Sequence, residues 1–139
     1  MRRIQTSEYS DINTAAAVVG TRSLAVLVVE DEPTVRLIIC SMLNDLGHST
    51  YEANSAEGAL EFLTSNDSID LVVTDFSMEG MTGGQLITAL KQDHSELPVI
   101  LATGDTSRTG EMEVAILKKP FFLEDLDRAI STTITQRAR

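Results

Sequence analysis

Four apolar runs of this sequence are each followed by polar side chains that could carry out chemistry. These side chains are Glu30 and Asp31, Asp75, Thr103, and Lys119. The apolar runs have the length and composition of buried strands. Open parallel α/β sheets place their ligand crevice outside the carboxyl ends of the strands. We therefore expect these side chains to line one crevice.

The chemistry of such a crevice follows from its charges. Three carboxylates close together repel, and each raises the pKa of the others unless a cation is present. Mg²⁺ suits the site because two carboxylates and one carbonyl would leave positions for phosphoryl oxygens. The ammonium of Lys119 and the hydroxyl of Thr103 would help to hold a transferring phosphoryl group. Asp75 is the best acceptor, because a carboxylate nucleophile can form an aspartyl phosphate.

The elements that position these residues alternate between strand and helix from Leu24 onward, which predicts βαβ units and a parallel sheet. The predicted strands cover residues 24–29, 49–53, 71–74, 98–102 and 114–117. The predicted helices run from Pro33 to Leu46, from a cap at Asn54 or Ser55 to Ser65, from about 83 to 93, and over 123–134. The fold class is therefore α/β, a doubly wound (βα)5 arrangement around a five-stranded parallel sheet.

One connection breaks this rhythm. Residues 104–113 are polar, flanked by glycines, and too short for a full helix with its two connections. We expect this segment to be the most mobile part of the domain, with a short or disordered fourth helix.

Length and charge exclude several classes of protein. The chain has 139 residues, which fits one domain, predicted over residues 24–136 after a flexible N-terminal extension of residues 1–23. The net charge of −10 and the lack of a basic run argue against a nucleic-acid partner. No stretch has the length of a secretory or transmembrane segment, so a cytoplasmic location without membrane insertion is expected. Neither a Walker loop nor a G-x-G-x-x-G motif offers a phosphate cradle.

Cysteine, histidine and methionine often mark functional sites, but in this sequence they are expected to be structural or surface residues. Cys40, the sole cysteine, lies in an apolar stretch and is expected to be a buried, inert thiol. His48 and His94 occupy turn or helix-end positions and are expected at the surface. The methionines are expected to pack in the core rather than bind a metal.

Four motifs together resemble the receiver domains of two-component response regulators. They are the acidic pair in Val28-Val29-Glu30-Asp31-Glu32, the segment Asp75-Phe76-Ser77-Met78-Glu79-Gly80-Met81-Thr82-Gly83, which is similar to D-x-x-M-P-x-M-x-G, the triplet Ala102-Thr103-Gly104, and Lys118-Lys119-Pro120-Phe121. Each motif is weak alone, but the ordered set, from about Leu24 to Ile134, is specific.

The resemblance implies a flavodoxin-like fold and a role for each motif residue. Asp75 would accept a phosphoryl group from a phosphohistidine of a sensor or hybrid histidine kinase or a histidine phosphotransfer protein. Asp31 and Asp75 would ligate Mg²⁺, with Glu30 direct or through water and Ser77 through its backbone carbonyl. Lys119, rather than Lys118, would pair with Asp75. The Lys119-Pro120 peptide bond is expected to be cis, which positions the lysine.

Departures from the family pattern qualify these roles. The place of the usual aromatic residue before the lysine is taken by Ile116, Glu79 replaces a proline, and Phe122 stands where a capping residue commonly begins the last helix. The short segment 104–113 resembles receivers with an A-T-G motif and a reduced fourth helix. The resulting hypothesis is that phosphorylation orders this segment instead of turning an aromatic ring.

The leading interpretation is a stand-alone receiver, a signalling protein and not an enzyme, whose output passes through another protein. It could relay phosphate, act as a sink for a kinase, or bind a target.

Two other interpretations compete with that of a stand-alone receiver. One is a Mg²⁺-dependent phosphohydrolase with an aspartyl phosphate, which would show a second acid where Ser77 stands. The other is a degenerate receiver that only binds protein, which the retention of Asp75, Thr103 and Lys119 disfavours. Ser77 and Asp105 are expected to flank the path of attacking water.

Overall fold

The computed structural model describes residues 23–108 and 113–137, and these form a five-stranded parallel sheet covered by helices. The strands are β1 (Ala25–Val29), β2 (Ser49–Ala53), β3 (Leu71–Asp75), β4 (Val99–Thr103) and β5 (Ala115–Lys118). The helices are α1 (Pro33–Asp45), α2 (Ala56–Thr64), α3 (Gly83–Asp93) and α4 (Leu123–Arg137). The strand order β2-β1-β3-β4-β5 confirms the predicted doubly wound α/β fold.

The central strands β1, β3 and β4 are buried on both faces, as their apolar sequences require. Leu27, Val72 and Leu101 pack with α2 and α3 in one cluster. Val28 and Val73, whose side chains alternate with the first set, pack with α1 and α4 in the other. The two clusters fix the strands from both sides, so the carboxyl ends of β1, β3 and β4 lie at one edge.

Local sequence signals set where the helices begin. Pro33 opens α1, and the Glu32 carboxylate accepts a hydrogen bond from the Thr34 amide at 2.9 Å. The Ser55 hydroxyl accepts one from the Gly58 amide at 2.9 Å, so Ser55, and not Asn54, caps α2. Helix α3 begins with a reciprocal capping box between Thr82 and Gln85.

Predicted and observed element limits differ by a few residues. Strand β1 begins one residue later than predicted, and β3, β4 and β5 each end one residue later. Asp75 and Thr103 are therefore the last residues of their strands rather than the first residues beyond them. The parallel ladder extends this far because Asp75 is paired with Ala102, and Thr103 with Lys118.

The connection between β4 and β5, residues 104–114, contains a 3₁₀ turn at Thr106–Arg108. The Asp105 carboxylate accepts hydrogen bonds from the backbone amide and the hydroxyl of Ser107, at 3.0 and 2.6 Å. Residues 109–112 lie outside the described residues, as do residues 1–22 of the predicted N-terminal extension. The predicted mobility of segment 104–113 and of the extension therefore stays a prediction.

The expectation for His48 was wrong, because only 4% of this residue is exposed. Gly47 adopts a left-handed conformation, with φ of 94°, and turns the chain at the end of α1. The amides of Gly47 and His48 donate to the carbonyls of Asn44 and Leu43 at 3.0 Å each. This turn places the imidazole at the amino edge of the sheet, where Nδ1 accepts a hydrogen bond from the Leu24 amide at 3.0 Å.

Cys40 is buried as expected, and burial raises the pKa of its thiol. The thiol therefore stays protonated at neutral pH, which agrees with a structural role.

Candidate functional site

The acidic pair after β1 is built from a buried and a partly exposed residue. Glu30 is 3% exposed, and its amide continues the sheet by donating to the Ala53 carbonyl at 3.1 Å. Its Oε2 accepts a hydrogen bond from the Glu32 amide at 3.2 Å. Asp31, the next residue, is half-buried and faces the loop that follows β3. The two carboxylates that follow β1 therefore accept hydrogen bonds from different parts of the backbone.

The Lys119 ammonium bridges the carboxylates of Asp75 and Glu30. Its Nζ lies 2.9 Å from Asp75 Oδ1 and 3.4 Å from Glu30 Oε1, so Asp75 is the closer partner. The Asp75 and Glu30 side chains are 12% and 4% exposed, against 27% for Lys119. Residues that are 44 and 89 positions apart in the sequence therefore meet in one buried charge cluster.

Burial and charge shift the pKa values of this cluster. Burial raises the pKa of the Glu30 carboxyl, and the charge of Asp75 adds to that effect, while the Glu32 amide and Lys119 oppose it. Burial alone would lower the pKa of Lys119, but its hydrogen bond with Asp75 and the charges of Asp75 and Glu30 outweigh burial and raise it. Lys119 is therefore a fixed positive charge at neutral pH, held where negative charge would develop on a transferring group.

Thr103 and Lys119 are joined through the backbone at the ends of β4 and β5. The Lys119 amide donates to the Thr103 carbonyl at 2.8 Å. Thr103 is 4% exposed, and its hydroxyl oxygen accepts a hydrogen bond from the Asp105 amide at 3.2 Å. The Lys119-Pro120 peptide bond is cis, as expected. Lys118, by contrast, is an exposed residue at the end of β5.

The loop after β3, residues 76–82, carries the backbone from Asp75 to helix α3. Gly83, at the start of this helix, lies so close to the Asp75 carbonyl that a Cβ there would collide with it, and would lie 2.8 Å from Phe76 Cα. The Gly83 amide also donates to the Phe76 carbonyl at 2.8 Å. Only glycine fits here, so this residue fixes the path of the chain immediately behind Asp75.

The carboxylates at this edge suit a hard divalent cation. When ionised, Glu30, Asp31 and Asp75 carry three negative charges against the single positive charge of Lys119, an excess of two. Within residues 23–108 and 113–137, however, no three histidine, cysteine, aspartate or glutamate side chains are grouped as a metal site. Mg²⁺ needs fewer side chains than that, because it retains several waters and accepts one or two carboxylates with carbonyl oxygen.

Sequence reasoning missed two residues that support the site. The Arg36 guanidinium donates from Nη1 to the Glu30 carbonyl at 2.7 Å, and from Nε to Glu52 at 2.9 Å. Glu57, on α2, accepts a hydrogen bond from the Met81 amide at 3.0 Å. The contacts with Glu52 and Met81 join residues 16 and 24 positions apart, and no local sequence pattern signals such contacts.

The positions that depart from the family pattern have distinct surroundings. Ile116 is 37% exposed and Phe122 is 76% exposed. The Phe122 amide donates to the Asp125 carboxylate at 2.8 Å, which is the half of a capping box that the residue three positions into the helix provides. Among the described residues, no helix is long and apolar enough to span a membrane.

Comparisons with known proteins agree with this geometry. A family model, described as the response regulator receiver domain, matches residues 26–131. The chemotaxis protein CheY of Pseudomonas aeruginosa is 36% identical over 116 residues, covering 77% of this chain and 93% of the relative. Chemotaxis protein CheY-3 of Vibrio cholerae is 36% identical over 97 residues, covering 68% and 74% of the two chains. The crystal structure of a response regulator receiver domain protein from Clostridium thermocellum has a TM-score of 0.75 and 30% identity, covering 83% and 97%.

Proposed function

Because the chain belongs to the response regulator receiver domain family, we propose that Asp75 accepts a phosphoryl group from a phosphohistidine. The single observation that carries this assignment is the buried cluster in which Lys119 lies 2.9 Å from Asp75 Oδ1. A carboxylate at a strand end, beside a fixed ammonium, is both nucleophile and part of a phosphoryl-binding site.

In the proposed transfer, the Asp75 carboxylate attacks phosphorus while the phosphorus–nitrogen bond of the phosphohistidine breaks. The electron pair of that bond leaves with the imidazole, and an acyl phosphate forms on Asp75. Lys119 donates to Oδ1, which leaves Oδ2 to attack, and its ammonium can follow the charge onto the phosphoryl oxygens. Thr103 would donate its hydroxyl to the phosphoryl group, after exchanging its present contacts with Asp105.

Mg²⁺ would be held by the carboxylates of Asp31 and Asp75 and the backbone carbonyl of Ser77, with Glu30 direct or through water. The support for this ligand set is its oxygen chemistry and the excess of negative charge at the site. When bound, the cation would supply charge stabilisation for the phosphoryl oxygens. Ser77 and Asp105 are proposed to influence how long the acyl phosphate persists.

The phosphodonor is proposed to be a sensor or hybrid histidine kinase or a histidine phosphotransfer protein in the cytoplasm, and output is proposed to pass through a partner protein. The net charge of −10 supports a protein partner rather than a nucleic acid.

Phosphoryl uptake at Asp75 tests the proposal. We expect wild-type protein incubated with Mg²⁺ and acetyl phosphate to gain the mass of one phosphoryl group, and Asp75→Asn to gain none, because an amide is a poor nucleophile. The matched control is Asp67→Asn, at an exposed aspartate, which should be labelled like wild type. Intact-mass spectrometry measures all three proteins.

Two outcomes would overturn the proposal. Uptake that persists in Asp75→Asn would refute the acceptor, and wild-type protein that takes up no phosphoryl group would indicate a degenerate receiver. Turnover of small phosphate esters by wild type would instead favour the phosphohydrolase.

A further inference from the structure

Two carboxylates from different elements hold the loop between β3 and α3. The Glu79 amide donates to Asp31 Oδ2 at 3.2 Å, and the Met81 amide donates to Glu57 Oε2 at 3.0 Å. Asp31 follows β1, whereas Glu57 lies in the first turn of α2. Successive anchors on either side of Gly80 thus tie the loop both to the acidic pair and to a helix.

The Glu57 anchor is independent of the proposed cation site. Gly80 has a φ of 78°, and a Cβ at this position would lie 2.9 Å from Glu57 Oε2. The Glu57 carboxylate therefore packs directly against the Gly80 backbone. Glu57 itself lies in the first turn of α2, where the helix dipole favours a negative charge. This anchor involves none of the proposed metal ligands, and it should be unaffected by a cation.

The Glu79 anchor is different because it uses a carboxylate that we assign to Mg²⁺. A cation that draws on Asp31 competes with the amide for the electron density of that carboxylate. Proline has no N–H to donate, and the motif that this loop resembles has a proline at this position. The contact therefore depends on a residue other than proline at position 79, and the Glu79 side chain itself is exposed.

We propose that Glu79 is a positioning residue: its backbone N–H holds the loop on Asp31 in the metal-free protein, and Mg²⁺ weakens or displaces this contact. Occupancy of the cation site then changes how tightly Asp31 holds the loop that directly follows the phosphoacceptor. This inference rests on the proposed function, because it takes Asp31 as a ligand of the cation.

Titration of the full chain with Mg²⁺ alone, without a phosphodonor, tests the inference by calorimetry. Glu79→Pro removes the N–H, and Glu79→Ala is the matched control that removes the same charge but keeps the N–H. We expect Glu79→Pro to bind Mg²⁺ about three- to tenfold more tightly than Glu79→Ala, since a hydrogen bond to a charged group no longer competes. Equal affinities, or weaker binding by Glu79→Pro, would overturn the inference.

A second measurement on wild-type protein decides the matter if the proline variant does not fold. Amide hydrogen exchange of Glu79, followed by NMR, should become severalfold faster when Mg²⁺ saturates the protein. The Met81 amide, held by Glu57, is the internal control and should keep its exchange rate. Unchanged or slower exchange at Glu79 would refute the displacement. A wild-type protein that binds no Mg²⁺ would refute the cation site of the proposed function instead.

Discussion

Buried polar side chains stand at both edges of the sheet, but they have different partners. At the amino edge, His48 Nδ1 accepts from the Leu24 amide at 3.0 Å, and Asp70 Oδ2 accepts from the Ala25 amide at 2.8 Å. At the carboxyl edge, Asp75 and Glu30 share the ammonium of Lys119. Side chains at the amino edge complete the backbone of β1, whereas those at the carboxyl edge pair mainly with one another.

This difference separates structural from functional polarity. A side chain that satisfies a buried amide removes a cost of folding, because an unpaired N–H there would be unfavourable. Carboxylates in excess over their cation add a cost, because like charges are held close together with little water. Natural proteins accept such costs mainly where chemistry needs them. The carboxyl edge is therefore where function is expected, and the comparison can be tested by mutation.

The largest expected effect is at the carboxyl edge. We expect Lys119→Met to lower the free energy of unfolding by about 2–3 kcal/mol at pH 7, because it leaves the buried Glu30 and Asp75 carboxylates without their cation. The matched control is Lys118→Met, at an exposed lysine, which should lie within about 0.5 kcal/mol of wild type. Urea denaturation measures both.

Acidification should shrink the deficit of Lys119→Met. Lys119 lowers the pKa of Glu30 against the raising effect of burial, so removing Lys119 leaves this pKa higher in the variant than in wild type. The folded variant then takes up a proton at a higher pH than folded wild type does, and its stability gains more as the pH falls. The gap to wild type should therefore narrow between pH 7 and pH 5. A gap that stays constant would mean that lost packing, and not unpaired charge, is the cause.

At the amino edge we expect a smaller effect on stability and none on phosphoryl uptake. Asp70→Ala should lower the free energy of unfolding by about 1–2 kcal/mol, because the Ala25 amide loses a charged acceptor. Asp67→Ala, at an exposed aspartate nearby in sequence, is the control for stability. Uptake from acetyl phosphate by Asp70→Ala should equal that of wild type. Lost uptake in a folded Asp70→Ala protein would break the division between the two edges.

The smallest expected effect is the pH dependence contributed by His48. Burial lowers the pKa of this imidazole below its usual 6.5, opposed only in part by Asp127. The unfolded state then binds the proton first, so stability present above the usual pKa is lost as the pH falls below it. His48→Gln keeps an acceptor for the Leu24 amide without titrating, and its stability should fall less from pH 7 to pH 5.

Denaturation midpoints of wild type and His48→Gln across this range measure the difference. His94→Gln, the same substitution at a partly exposed histidine, is the matched control. Identical pH dependence in wild type and His48→Gln would show that the imidazole contributes nothing.

Most of the fold and part of the site could be predicted from the sequence. Short continuous apolar runs located β1, β3 and β4 because these strands are buried on both faces. The edge strands β2 and β5 are mostly exposed or partly buried, and β2 has the weaker sequence signal. The helix limits were predicted to within a few residues, and Ser55, one of the two proposed caps of α2, is the observed one. The positions of Asp75 and Lys119 at strand ends predicted that they line one crevice, because a parallel sheet places the carboxyl ends of its strands together.

Other features depend on contacts between elements that are distant in sequence. His48 was expected at the surface, but the turn at Gly47 places its imidazole against the Leu24 amide, directly before β1. Glu57 gave no signal because it accepts from the Met81 amide, 24 positions away. Arg36 gave none because its side-chain partner Glu52 is 16 positions away, on another element. No local pattern encodes a partner of this kind.

By itself, the sequence determined the α/β class, the order of elements and which polar residues lie at or near strand ends, because periodicity and capping act within a few residues. Tertiary structure decided which of these residues meet. The crossovers bring Lys119 to Asp75 and Glu30, leave Asp31 to the amide of Glu79, and bury His48 at the opposite edge. The physical reason is that charge pairing and desolvation depend on distance in space, which packing of the whole domain sets.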